Sequence, residues 1–401
     1  MRSWTILAML LLTVSSCATA GDSAKEVVAT TAISLPVDSV TIYQDGLVFV
    51  KRTGSMDLTE GVHKFVVDLP ENADTSSVLF LVTNSSLERI VYDKMPVYTM
   101  NVSSTARQSF LLSYLVRDGG HWAPNYYIHL LNDSMLLTAN ALINVDLRED
   151  LKNVQIRLVA MPERKTPILM RAPAPTAAKA EELPVEFSLY DIAAGAPAGE
   201  LETLFVFVLE NRTDLVAGKS IGLPLFEDLA PAWRVYTWDA YYNPDGPARE
   251  EIRANNTADH PWPDGNAQVF RDGEYVTTLS MPYTAKGANV SLSLGPSADL
   301  KLSKKLMDYN ITENVVSSGN GTAKVTTENW TYQLEIKSNT DKEMDLEVKD
   351  VIPMEAKVTD ISPEPSEMTA TLLKWNLKVA PREEMKIRYS YRVVTLETID
   401  R

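Results

Sequence analysis

The chain is poor in the residues that carry most protein chemistry. It holds 401 residues but a single cysteine, Cys17, and four histidines. One thiol excludes an internal disulfide framework and every zinc or redox motif built on cysteine pairs. The histidines, His63, His121, His129 and His260, stand in separate segments, and no His-Glu-x-x-His spacing brings two onto one face. Basic charge is also short: 38 Lys and Arg against 53 Asp and Glu leave a net charge of −15 and a pI of about 4.9. Nucleic acid needs a basic face to displace counterions from phosphate, so no nucleic-acid partner is expected. Adhesion to anionic lipid by charge is equally poor. Beyond the N-terminus no apolar run reaches the ~20 residues that a membrane-spanning helix requires. No long stretch repeats its apolar residues every 3.6 positions, so little helix is expected.

The N-terminus carries what the rest lacks. "MRSWTILAMLLLTVSSCATAGDSAKE" joins a basic Arg2 to an apolar stretch from Trp4 to Val14, followed by small residues. That order is a secretory signal peptide, expected over residues 1–20. "VSSC" reads as a lipobox ending in a lipidated Cys17, while Ala18–Ala20 would suit an ordinary signal peptidase. A lone cysteine placed at the cleavage site favours the lipid, and the membrane is then reached through an N-terminal anchor. The sequon Asn-x-Ser/Thr occurs at Asn84, Asn101, Asn132, Asn211, Asn255, Asn289, Asn310, Asn320 and Asn329. Chance would give about 3. The excess points to an exported chain in a host that N-glycosylates; with a lipobox, that suggests an archaeon. The expected location is the cell surface or envelope.

With 45% hydrophobic residues the chain has enough apolar material for real cores, and its length suits two or three domains. Most of it alternates on a two-residue period. In "VDSVTIYQDGLVFVKRTGSMDLTEGVHKFVVDLP" the apolar positions Val40, Ile42, Val48 and Val50 flank an Asp45-Gly46 turn, and Val62, Phe65 and Val67 follow Glu60-Gly61. That pattern predicts an antiparallel meander. In the last hundred residues "NWTYQLEIKS", "LLKWNLKVAP" and "EMKIRYSYRV" each present one apolar and one charged face. Two-faced strands spaced by turns predict an all-β chain of antiparallel β-sandwich domains in tandem, the last immunoglobulin-like. The expected division is a tether over 21–35, an N-terminal β domain over 36–99, a central β domain over 100–302 and a C-terminal sandwich over 303–401. "TPILMRAPAPTAAKAEELP", 166–184, is expected to be a mobile Pro/Ala-rich loop within the central domain.

Several of these stretches resemble a known family. "VTIYQDGLVFVKRTGSMDLTEGVHKFVVDLPENADTSSV" resembles the N-terminal module of mucoidy-inhibitor-A-like proteins. "SYLVRDGGHWAPNYYIHLLNDSMLLTANALINVDLREDLKNVQIRLVAMP" resembles the opening of their C-terminal module, domain of unknown function 4139. Tyr114, Trp122, Pro124, Tyr126, Glu149, Asp150, Leu151 and Val154 stand at the motif positions, Leu151 where the family usually has Trp. "LLKWNLKVAPREEMKIRYSYRV" is similar to the closing strands. Many relatives carry a long coiled coil between the modules; here only "YTMNVSSTARQS" separates them. The resemblance implies no enzymatic activity and brings no catalytic residues.

The candidate sites divide between chemistry and packing. Asp118-Gly119-Gly120 reads as a hairpin turn, with His121 a solvated turn residue and Trp122 and Tyr126 on the buried face of the returning strand. The glycines of "SSGNGTAK" lack the Lys-Ser/Thr ending of a phosphate loop and also read as a hairpin turn. No metal site and no cofactor are expected: "NNTADHPWPDGNAQVFRDG" gathers Asp259, His260, Asp264 and Asp272 but has no calcium-loop spacing. The reading is a structural or interaction role in the envelope, displayed to envelope proteins or polysaccharide, with no catalytic site. Two rivals remain. Tyr236, Trp238 and Tyr242 in "AWRVYTWDAYYNP" would form a carbohydrate-stacking face, and His260 with Asp264 would anchor a hydrolase.

Overall fold

A computed structural model describes residues 30–92, 95–147, 149–162, 199–201, 204–318 and 321–399. The signal peptide, Cys17, residues 21–29 of the tether, the 166–184 loop and Asn320 lie outside the described residues. The described chain is all-β, with no helix among the described residues.

Two compact units share the chain. The first takes Met1–Ser34, Ser55–Leu69 and Val82–Ser109. Its four-stranded sheet runs, in hydrogen-bonded order, β1 (Thr30–Ile33), β4 (Gly61–Val67), β7 (Val97–Val102), β6 (Ser85–Val91). Phe65, Val67, Tyr98 and Met100 form its buried face.

The second unit takes Leu35–Gly54, Pro70–Leu81 and Phe110–Arg401 and holds three sheets. One runs β12 (Gly199–Leu201), β13 (Leu204–Val208), β11 (Leu151–Ala160), β2 (Val37–Tyr43), β3 (Val48–Leu58), β8 (Ala106–Val116), β5 (Ala73–Val82), with β14 (Thr213–Leu215) beside β11. A larger one runs β18 (Glu274–Met281), β17 (Gly265–Arg271), β9 (Gly120–Leu130), β10 (Ser134–Val145), β15 (Ser220–Asp239), β22 (Met344–Val351), β25 (Leu372–Val379), β24 (Glu367–Met368). Here β16 (Ala248–Asn255) also pairs with β15, and β19 (Asn289–Ser297) with β16. The third runs β20 (Leu300–Ser318), β21 (Gly321–Ser338), β26 (Glu384–Ile399), β23 (Lys357–Ser362).

Strand β15 organises two cores. Its first part pairs antiparallel with β10 and places Ala230 and Ala232 in a core with Tyr126, Ile128, Leu137, Trp262, Val269 and Leu292. Its end pairs parallel with β22, Tyr236 opposite Leu346, and places Tyr236 and Trp238 in the C-terminal core. That core packs β22 and β25 against the β20–β21–β26 sheet. Leu334, Ile336, Leu346, Val348, Trp375, Ile387, Tyr389 and Tyr391 are all buried in it, with Tyr332 and Leu377 partly so. Leu300 and Leu302 belong to it as well, and a cut at residue 303 falls inside β20.

Three expectations about pairing are corrected. Asp118-Gly119-Gly120 does not close a hairpin: β8 lies in the first sheet of this unit and β9 in the second, so the turn crosses between sheets. The true hairpin is β9–β10, with Trp122 opposite Ile143. Of the N-terminal meander only β2–β3 pair with each other; β4 belongs to the other unit's sheet. Three of the sheets are mixed, because β1–β4, β2–β11, β9–β17 and β15–β22 run parallel, whereas the β20–β21–β26–β23 sheet is antiparallel throughout. Turn residues report where a chain reverses, whereas the partner strand is chosen by burial of faces distant in sequence.

Candidate functional site

His121 opens β9, exposed, with a ring nitrogen 3.1 Å from Asn144 Nδ2. It borders a hollow of about 340 Å³ with Asp118, Asp146 and Lys219. Gly218 and Lys219 of its lining begin a string that escapes a sequence reading centred on histidine: Gly218-Lys219-Ser220-Ile221-Gly222 fits the Gly-x-Ser-x-Gly pattern of serine hydrolases. Its context differs, since Ser220 starts strand β15 instead of standing on a strand-to-helix elbow, and its hydroxyl donates to Asn144 Oδ1. Asn144 therefore stands between serine and histidine.

His260 is packed against Phe226, its ring centroid 4.4 Å away, and its Nε2 lies 3.5 Å from Asp228 Oδ1. Burial pulls its pKa down, but Asp228 and the Pro261 carbonyl outweigh that and raise it. Asp264 instead accepts a bond from Gln44 Nε2 at 3.3 Å. The structure therefore does not bring His260 and Asp264 together as the expected pair. Among the described residues no group of three His, Cys, Asp or Glu is placed to hold a metal ion.

The aromatic face proposed for sugar stacking is corrected too. Tyr236 and Trp238 are buried, Trp238 donating to the Asn243 carbonyl at 2.8 Å and Tyr236 to Asp299 Oδ2 at 2.8 Å. Only Tyr242 is open, 80% exposed. Alternation gives three aromatics one face; it does not tell which face a second sheet covers. The opposite face of β15, β16, β22 and β25 is a charged lattice around Glu347. This carboxylate is nearly buried and takes Arg253 at 3.2 Å, Lys374 at 3.0 Å and Lys349 at 2.9 Å. Burial pushes its carboxyl up, yet the bonds from Lys349, Lys374 and Arg253 prevail and hold it at about 2.

The motif residues behave as ties. Arg52 on β3 donates to Tyr114 Oη at 3.0 Å, to the Leu35 carbonyl at 2.8 Å and to Glu149. Trp122 donates to the Val159 carbonyl at 3.1 Å, Tyr126 to the Pro263 carbonyl at 2.6 Å, and Asp150 accepts from the Ala217 amide at 3.1 Å. Of the eight described sequon asparagines, Asn84, Asn101, Asn132, Asn211, Asn289, Asn310 and Asn329 are exposed and Asn255 is half-buried. Two pairs stand directly opposite across strands, Asn255 with Asn289 and Asn310 with Asn329.

The outer part of the β20–β21–β26 ribbon carries apolar side chains into solvent, including Ile311, Val315 at 65% exposure and Leu396 at 71%. β20 is the end strand of its sheet. A long apolar end strand is a pairing template that soluble proteins normally blunt.

These features define a multi-sheet, all-β protein whose motif residues knit strands together. Residues 110–395 match the family described as Domain of unknown function (DUF4139), and the chain belongs to that family. No curated protein matches it.

Proposed function

We propose that the chain is an exported, lipid-anchored envelope protein that acts by display and self-association, without catalysis. The bare outer ribbon is the observation that carries this reading. Its free strand is polar in charge: Lys301 and Lys305 lie at its start, Asp308 and Glu313 further along. An antiparallel copy of the same strand sets opposite charges together while covering Met307, Ile311 and Val315, so the occupant is a second copy of this chain. The lipobox at Cys17 and the surface position of the sequons support export. Opposed asparagines have Cβ atoms only about 5 Å apart, so each opposed pair has room for one glycan. The tie from Arg52 to Tyr114 and Glu149 supports the wider likeness, in which the N-terminal strands are the companion module of a mucoidy-inhibitor-A-like protein. The C-terminal sandwich is read as immunoglobulin-like.

Carbohydrate binding at Tyr242 and hydrolysis near His260 are the weaker readings, because their partner residues serve packing. The test combines two variants in the native host. Cys17→Ser should move the protein from membrane to medium. The solubilised wild type should sediment as a dimer and Ile311→Lys as a monomer with unchanged thermal unfolding. A mature N-terminus at Gly21 would sink the anchor, and a wild type monomeric at every concentration would sink self-association.

A further inference from the structure

We propose that Lys304 and Asp350 condense to an intramolecular amide, a covalent staple between the two sheets of the C-terminal sandwich. The two residues come from different sheets, Lys304 from β20 and Asp350 from β22. Asp350 has no exposed surface, and the Lys304 side chain is 12% exposed. The amine nitrogen lies 2.7 Å from Asp350 Oδ1, which also accepts the Val351 amide at 2.9 Å. Asp350 Oδ2 accepts the Tyr389 hydroxyl at 2.5 Å. The ring of Tyr332 walls the amine, its centroid 4.6 Å from Nζ.

An ordinary ion pair explains this contact less completely. Taking both charges out of water can cost more than their attraction returns, whereas a neutral amine and acid in the same place escape that penalty. Proton transfer from Nζ to Oδ1 gives that neutral pair. Fixed contact then replaces a bimolecular encounter and raises the effective concentration of amine over acid by many orders of magnitude. The Nζ lone pair attacks Cγ, and the charge that develops on Oδ2 faces the Tyr389 hydroxyl. Burial first, then Asp350, pushes that hydroxyl's pKa far above the usual phenol range, so it remains a donor. A second proton passes from Nζ to Oδ1, the Cγ–Oδ1 bond breaks, and Oδ1 leaves as water. One N–H remains on the amide, no electrons change hands, and no co-reactant is needed. Lys304 N donates to the Pro244 carbonyl at 2.8 Å, which fixes the backbone from which the amine reaches inward.

The test is peptide mapping of the denatured full chain. The expected product is a branched peptide joining Lys304 to Asp350, about 18 Da lighter than its two linear parts, with Lys304 resistant to lysine-specific cleavage. Lys304→Arg keeps the charge but lacks the nucleophile and should give linear peptides only. Tyr389→Phe should slow cross-linking on refolding by about tenfold or more, since one oxyanion donor is lost. Recovery of both wild-type linear peptides at full mass, from a chain with a β-type circular dichroism spectrum, would overturn the staple. Because the readout is a bond inside one chain, its failure would leave the dimer and the anchor standing.

Discussion

Trp122→Ala is expected to destabilise the protein by about 3–5 kcal/mol, while His121→Ala stays within about 0.5 kcal/mol. The neighbours differ because β9 alternates. Trp122 points inward, 1% exposed, with Phe207 edge-on at 6.1 Å and its indole N–H satisfied by Val159. Its loss would open a cavity and strand a carbonyl on β11, in the facing sheet. His121 points to solvent, with Asn144 as its side-chain hydrogen-bond partner. A loss of that size is a large fraction of the ~5–15 kcal/mol that holds an ordinary domain together. Denaturant unfolding of both variants is the measurement, and equal effects would reopen a role for His121.

Glu347→Gln should cost on the order of 2–3 kcal/mol at neutral pH, a figure already reduced for the solvent around Lys349. The sign follows from the direction of the shift. The carboxyl titrates near 4.5 when unfolded and at about 2 in the fold, so folding favours the ionised form. Its stabilisation is complete above pH 4.5 and fades as the pH falls towards 2. Wild type and variant should therefore differ at pH 7 and converge in strong acid. Paired acid titrations of unfolding would test this, and curves parallel from pH 7 to pH 2 would refute it.

Strand faces were legible where one face is apolar and the other charged, as in β21, β25 and β26. Their alternation alone places Leu334, Trp375 and Tyr389 inside, and all three are buried. Partners were not legible. Asp350, in "LEVKDVIP", reads as one more polar residue on a strand, and only the convergence of β20 and β26 makes it a buried acid. Tyr236 and Trp238 show the limit from the other side: alternation gives them one face, and whether that face packs or stacks sugar depends on β20 and β21, far along the chain, which cover it. The ribbon shows the same limit at its far end, where alternation continues past the point at which the opposing sheet stops.

The divided pairing of β15 sets an order of events during synthesis. Its first half can zip onto β10 as soon as it emerges, since β10 precedes it in the chain and has already been made. Its end must wait for β22, whose Leu346 lies opposite Tyr236 about 110 residues later; at ~5–20 residues per second that is a delay of roughly 5–20 s. Through that interval Tyr236 and Trp238 sit on an unfinished edge, and any chaperone that receives the chain meets them uncovered.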